Sequence, residues 1–366
     1  MPLPFPINPS LHDLPVYQPG RPIEEVAREV GLPPAEIIKL ASNENPLGPS
    51  PKAVAAMKNV LENLNLYPDG NAFYLKQKLA TKLQLAPANL LLGNGSNEII
   101  EFVGHALLKH GVDVLVSQFC FAVYPLVTKI FNANLITVPA RNYGHDLPAI
   151  LKAITPQTAV IFVANPNNPT GTAVSPAELV RFVQDVPEQV LLVLDEAYIE
   201  FLDGAADFLP LIRGGSKSNL LLMRTFSKIY GLAGLRVGYG IAIPELVSAL
   251  EKVRQPFNLN SVAQAAALAA LDDADHVQKT KRNNASGLQF FSEAFRKMGR
   301  ETIGSAANFI LVRVGDGQRV FEELQRQGII VRPMGGYQLG EWIRISIGNP
   351  AENKRCLDAL TPILSA

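Results

Sequence analysis

Lys228 lies in the stretch RTFSKIYGLAGLRVGYG, between an apolar run and a Gly-rich segment, with Phe226 and Ile229 beside it. A lysine held among apolar groups and near other cations loses its proton readily and becomes a nucleophilic amine. Thr225, Ser227 and Arg236 add small hydroxyl and guanidinium groups that suit a phosphate. The combination points to a Schiff-base lysine beside a phosphate cup. Asp195 follows the unbroken apolar run Val190–Leu194. Its carboxylate is expected at the end of a buried strand, partly desolvated and in need of a cationic partner, with Tyr198 leaning toward the same point. Taken alone, Asp195 also reads as a helix N-cap. The segment GNGSNE (Gly93–Glu98) precedes a helical run and can turn free backbone N–H groups toward an anion. It reads equally as a Gly-rich turn in which Ser96 caps the helix.

These residues need a frame that brings them together. From Leu90 to Ile243 short apolar runs alternate with helical stretches. Asn89–Leu92, Val112–Val116, Leu135–Val138, Ala159–Val163, Val190–Leu194, Leu220–Met223 and Val237–Ile243 are expected strands, several apolar almost throughout, as strands buried on both faces are. The alternation predicts an α/β fold with a mostly parallel, doubly wound sheet. In such sheets ligands gather beyond the carboxyl ends of the strands. GNGSNE, ANPNNPTG (Ala164–Gly171), DEAY (Asp195–Tyr198) and RTFSK (Arg224–Lys228) each follow one of these runs. One polar cluster after a strand is an ordinary loop; four on one sheet edge make a site. Beyond Ile243 the pattern shifts to helices at Val262–Leu271 and Asp275–Met298. Strand-like Phe309–Val314, Ile329–Arg332 and Trp342–Ile347 follow, with helical Gln318–Gln327 and Glu352–Leu364. The expected organisation is a Pro-rich extended N-terminal arm (1–44), a large domain (45–258) and a smaller α+β C-terminal domain (259–366).

NPNNPTG, DEAY and TFSKIYGLAGLRVG together resemble the fold-type I aminotransferases that use pyridoxal 5′-phosphate (PLP). LASNENPLGPSP (Leu40–Pro51), LYPD (Leu66–Asp69) and VRPM…WIRISIG narrow the resemblance to the histidinol-phosphate aminotransferase family, over nearly the whole chain and in the same order. The resemblance implies that Lys228 holds PLP and that Asp195 pairs with its pyridine nitrogen. It implies that Tyr198 and Asn168 bond its phenolic oxygen. The cofactor phosphate would be held by Ser96, Asn97, Thr225, Ser227 and Arg236, and by Tyr67 of a neighbouring subunit. Tyr17 and Asn43 would lie near the substrate, and Arg344 and Arg332 would bind its acidic end. The family often has Pro-Thr-Tyr up to the residue that stacks on the cofactor; this chain has Phe119-Cys120-Phe121. Phe121 is the implied stacking residue, and Phe119 competes with it. The implied reaction is transamination between histidinol phosphate and 2-oxoglutarate, in a homodimer with shared sites. The alternatives are an aromatic amino acid aminotransferase or a PLP-dependent decarboxylase of a phosphorylated amino acid.

Composition sets the outer limits. The chain has 366 residues, 48% hydrophobic and 18% charged, which suits a large folded protein rather than a disordered one. Lys+Arg and Asp+Glu both number 33, so the basic excess of a nucleic-acid or anionic-membrane binder is absent. Cys120 and Cys356 are too few for a disulfide framework, and the histidines have no metal-ligand spacing. No run approaches the roughly 18 apolar residues of a spanning helix, and the opening stretch lacks the basic and apolar regions of a signal peptide. A cytoplasmic enzyme is expected. Neither a G-x-G-x-x-G turn nor a P-loop is present, which argues against a nucleotide-binding dehydrogenase. The joint presence of Lys228, Asp195 and Arg236 argues against a catalytically silent binding module.

Overall fold

The computed structural model describes residues 5, 7, 9–12, 14, 16 and 20–365. Its main sheet contains β2 (Leu90–Asn94), β3 (Asp113–Ser117), β4 (Asn134–Val138), β5 (Thr158–Ala164), β6 (Leu191–Asp195), β7 (Leu220–Thr225) and β8 (Val237–Ile241), preceded in the chain by the two-residue β1 (Ile38–Lys39). The strand order is β2-β8-β7-β6-β5-β3-β4. β3–β7 pair in parallel, whereas β8 runs antiparallel to both β2 and β7. The sheet is therefore mostly parallel with one reversed strand. All of β6 is buried and β5 nearly so, because helices cover both faces. One face carries the core that includes Leu192, Leu194, Phe226 and Tyr239; the other carries Val193, Met223, Phe162 and Tyr124.

The reversal of β8 matters for the site. With β2 and β5–β7 pointing one way, the loops after them share an edge. β8 points the other way, so the residue that precedes it, Arg236, reaches that same edge. The register sets Gly238 opposite both Gly93 and Thr225.

A second, antiparallel sheet has the order β12-β13-β10-β9, from β9 (Thr302–Ile303), β10 (Phe309–Arg313), β12 (Arg332–Pro333) and β13 (Trp342–Ser346). The expected strand Ile329–Arg332 is divided. β11 (Ile329–Ile330) pairs in parallel with β1, and after Val331 the chain changes partner to β13. Residues 23–41 therefore do not stand apart: Val26, Ala27, Ile37 and Ala41 pack with Ile330, and Ile38 and Leu40 join the core of the second sheet. The expected break at 258/259 also crosses continuous packing. Leu259, Ala263, Ala266, Ala267 and Ala270 share the core of the large sheet, because the small side chains of the helix Ser261–Ala270 let it lie closely against the helix Pro51–Lys58. The helix Pro51–Lys58 is followed by a single 3-10 turn at Leu61–Asn63.

Candidate active site

The polar clusters after β2, β5, β6 and β7 enclose, with residues 41–44 and the second sheet, a cavity of about 350 Å³. Lys228, Asp195, Tyr198, Ser96, Asn97, Phe121, Asn168, Thr225, Ser227, Arg236, Asn43, Arg332 and Arg344 all line it. Tyr67 does not. It is 83% exposed and stacks on Phe257 at 4.7 Å. Tyr17 lies outside the described residues. Phe121 reaches the cavity, whereas Phe119 is buried in an aromatic cluster with Tyr198, Phe309 and Trp342 and stacks on Tyr143.

Lys228 is half-buried three residues beyond the end of β7, and its Nζ donates to the Ser42 carbonyl at 3.3 Å. Burial, then the nearby Arg344 and Arg236, pull its amine down to about 8. Asp195 ends β6 and caps no helix. Its Oδ1 accepts the Ala197 backbone N–H at 3.0 Å and its Oδ2 accepts the Tyr124 hydroxyl at 2.6 Å. The carboxylate is 7% exposed, and burial raises its pKa above the usual carboxylate value. The expected cationic partner is thus replaced by two neutral donors. Next to it, Glu196 points to the opposite sheet face and has its cation, Arg224, at 2.7 Å. The Tyr198 hydroxyl accepts a hydrogen bond from Asn43 Nδ2 at 2.9 Å, and burial pushes its pKa to about 12, so it keeps its proton for donation.

At the other end, Gly95 takes φ +82° and caps the helix Ser96–Leu107 in place of Ser96, which becomes the first helical residue. A Cβ on Gly95 would meet the Arg236 guanidinium at 2.6 Å, and one on Gly238 would meet the Ser96 amide nitrogen at 2.3 Å. Bare backbone here lets the helix N-terminus, β8 and Arg236 crowd one point. The Arg236 guanidinium donates to Ser227 Oγ at 3.4 Å, and Thr225 Oγ1 accepts the Ser227 N–H at 3.1 Å. The result is an anion cradle of helix N–H groups, hydroxyls and one guanidinium.

The NPNNPTG loop divides its labour. Asn165 and Asn167 brace it: Asn165 Oδ1 accepts the Val174 N–H at 2.8 Å, and Asn167 Nδ2 donates to the Phe119 carbonyl at 2.7 Å. Asn168 faces the cavity, where its Oδ1 accepts from Arg344 at 2.6 Å, which leaves its amide N–H groups as donors. Arg344 is buried over the Phe309 ring and also donates to the Ala41 carbonyl at 3.0 Å. Arg332 and Arg344 are direct partners across β12 and β13, so both side chains project from the same sheet face.

Two contributors were not expected from sequence. Ser42 offers a carbonyl to Lys228, and Tyr124 offers its hydroxyl to Asp195. Tyr124 follows Phe121 by three residues, one helical turn, and that spacing is the only sequence signal for it. Ser42 has none, because only its backbone takes part.

The site and sheet define a class, and the family comparison agrees. The profile of aminotransferase class I and II matches residues 35–360, and the chain belongs to that family. The chain is 51% identical over 358 residues to a histidinol-phosphate aminotransferase of Akkermansia muciniphila, with 98% of each chain covered. It is 50% identical over 364 residues to histidinol-phosphate aminotransferase 2 of Pseudomonas fluorescens strain Pf-5, covering 98% of this chain and 97% of that protein. The crystal structure of histidinol-phosphate aminotransferase from Sinorhizobium meliloti in complex with pyridoxal-5′-phosphate is similar to it with a TM-score of 0.90 at 30% identity, covering 98% of this chain and 97% of that one.

Proposed function

We propose that the chain is a PLP-dependent aminotransferase that takes the amino group of histidinol phosphate and passes it to 2-oxoglutarate. The observation that carries this reading is the convergence of Lys228, Asp195 and Arg236 on one cavity whose far side holds the cross-strand pair Arg332 and Arg344. The residues fit the cofactor. The buried Asp195 carboxylate makes no ion pair among the described residues and suits a protonated pyridine nitrogen, and the glycine-lined cradle at the opposite end suits a phosphate.

In this reading Lys228 Nζ would hold the cofactor, and its amine, of lowered pKa, would take and return the proton at the donor α-carbon. Asp195 keeps the proton on the ring nitrogen. Tyr198 and Asn168 donate to the phenolic oxygen. Phe121 covers the ring face, and Ser96, Asn97, Thr225, Ser227 and Arg236 hold the phosphate. When bound, PLP supplies an electron sink for the charge left on the substrate carbon. Arg332 and Arg344 hold the acidic end of either substrate, with Asn43 nearby. Tyr67 completes the site from the partner of a homodimer. No helix among the described residues is long and apolar enough to cross a membrane.

Two guanidinium groups suit a phosphate dianion better than one carboxylate. Half-reactions with histidinol phosphate, glutamate and phenylalanine, followed by the visible absorbance of the cofactor, test the assignment. Histidinol phosphate should react with the highest kcat/KM of the three. Arg332→Ala should cost it roughly 10–100-fold, the value of a charged hydrogen bond, and cost phenylalanine much less. Equal small losses on both would remove the preference for the phosphorylated donor.

A further inference from the structure

Asp195 is a buried charge lining the cavity, and what surrounds it decides how firmly it can hold a proton on a neighbouring ring nitrogen. One of its oxygens takes a backbone N–H from the turn that follows β6. The other takes the hydroxyl of Tyr124 at 2.6 Å. Tyr124 is fixed on several sides. Its backbone N–H donates to the Phe121 carbonyl at 3.1 Å, at the start of the helix Val123–Ile130. Its ring lies flat on Phe162 of β5, at 4.6 Å between centroids and 6° between planes, and meets Phe121 edge-on at 5.6 Å. The residue is fully buried, so the hydroxyl has no solvent to turn to.

We infer that Tyr124 is a positioning residue for Asp195, holding the carboxylate ionised and aimed at the cofactor ring nitrogen. The inference rests on the proposed function and assigns it a residue beyond those that touch the cofactor. A hydrogen bond to an ionised acceptor is about twice as strong as one to a neutral acceptor, so the hydroxyl favours the carboxylate over the protonated acid. Burial keeps the phenol pKa well above its usual value, so the shared proton stays on Tyr124 and the negative charge on Asp195. Desolvation alone would push Asp195 toward the neutral acid. The hydroxyl counters that tendency at the atom where a cationic ring nitrogen needs a negative partner. Because Phe121 and Tyr124 sit one turn apart, the same turn that covers the ring face also sets its nitrogen partner.

The test is a double-mutant cycle read on cofactor affinity. Cofactor-free wild-type protein, Tyr124→Phe, Asp195→Asn and the double variant are titrated with PLP up to millimolar concentration by protein fluorescence. Tyr124→Phe keeps the ring packing and removes only the hydroxyl. It should raise the PLP dissociation constant about tenfold, the difference expected between charged and neutral hydrogen bonding. In the Asp195→Asn background the same change should alter the constant by less than about twofold. In the half-reaction Tyr124→Phe should lower kcat while leaving KM for the amino donor unchanged. Equal losses in both backgrounds would assign Tyr124 to packing alone, and no loss in the wild-type background would overturn the inference outright. Wild-type protein that takes up no PLP would instead remove the proposed function, and this inference with it.

Discussion

At Lys228 the fold holds an amine where water cannot fully solvate its charge and where Arg344 and Arg236 oppose it. Its folded pKa, about 8, lies below the ordinary value of 10.5. Between those two values the unfolded chain binds more protons than the folded one, so folding stability rises with pH across that window. Below it, the protonated amine is a standing cost. The difference in urea midpoint between cofactor-free wild type and Lys228→Met should therefore change in favour of wild type from about pH 8 to 10.5, and a flat difference would place the amine in solvent. Asp195→Asn should lower turnover by about 10²–10⁴-fold, as loss of a preorganised charge does, with a smaller loss of cofactor affinity. A near-neutral effect would reduce Asp195 to a turn-forming residue. Lys228, Asp195 and Arg236 were legible in the sequence because each lies within a few residues of a largely apolar run. Tyr124 was not, since nothing in VYPLV marks which carboxylate its hydroxyl will meet.

The strands themselves were readable from their apolar runs, but a run carries no direction. Periodicity alone could not say that β8 is reversed, although that reversal brings Arg236 to the edge where β2, β6 and β7 end. It also could not show that Ile329–Arg332 changes partner at Val331, or that the Ala-rich helix Ser261–Ala270 belongs to the first core. What forces the anion cradle is close backbone approach. A Cβ on Gly238 would press on the Ser96 amide, and backbone cannot swing aside as a side chain can. Gly238→Ala should therefore push back the helix N-terminus, weaken PLP binding at least tenfold and lower stability by about 1–3 kcal/mol, the usual range for overpacking. Titration with PLP and thermal unfolding of the cofactor-free protein measure the two effects separately. Unchanged affinity with lowered stability would detach the cradle from phosphate binding.

At the scale of the whole molecule, one region remains poorly covered. Leu61, Leu64, Leu66, Tyr67, Phe73, Tyr74 and Phe257 are all exposed, and Tyr67 lies flat on Phe257 outside its own cavity. Large apolar side chains exposed along residues 61–74 and at Phe257 suit an interaction surface. We propose that it is covered by a second copy of the chain and that Tyr67 there reaches the phosphate in the partner's site. Sequence could name Tyr67 through the resemblance, but no spacing rule places a residue across a subunit boundary. Lys228→Ala removes the site amine and Tyr67→Phe the donated hydroxyl, so each homodimer should be crippled. In a hybrid, one of the two sites combines an intact Lys228 with an intact Tyr67. Equimolar refolding yields about half hybrids by random pairing, so roughly a quarter of wild-type activity should return. Native mass spectrometry verifies that hybrids form. Their presence without recovered activity would confine each site to a single subunit and leave the exposed aromatic residues without a catalytic part.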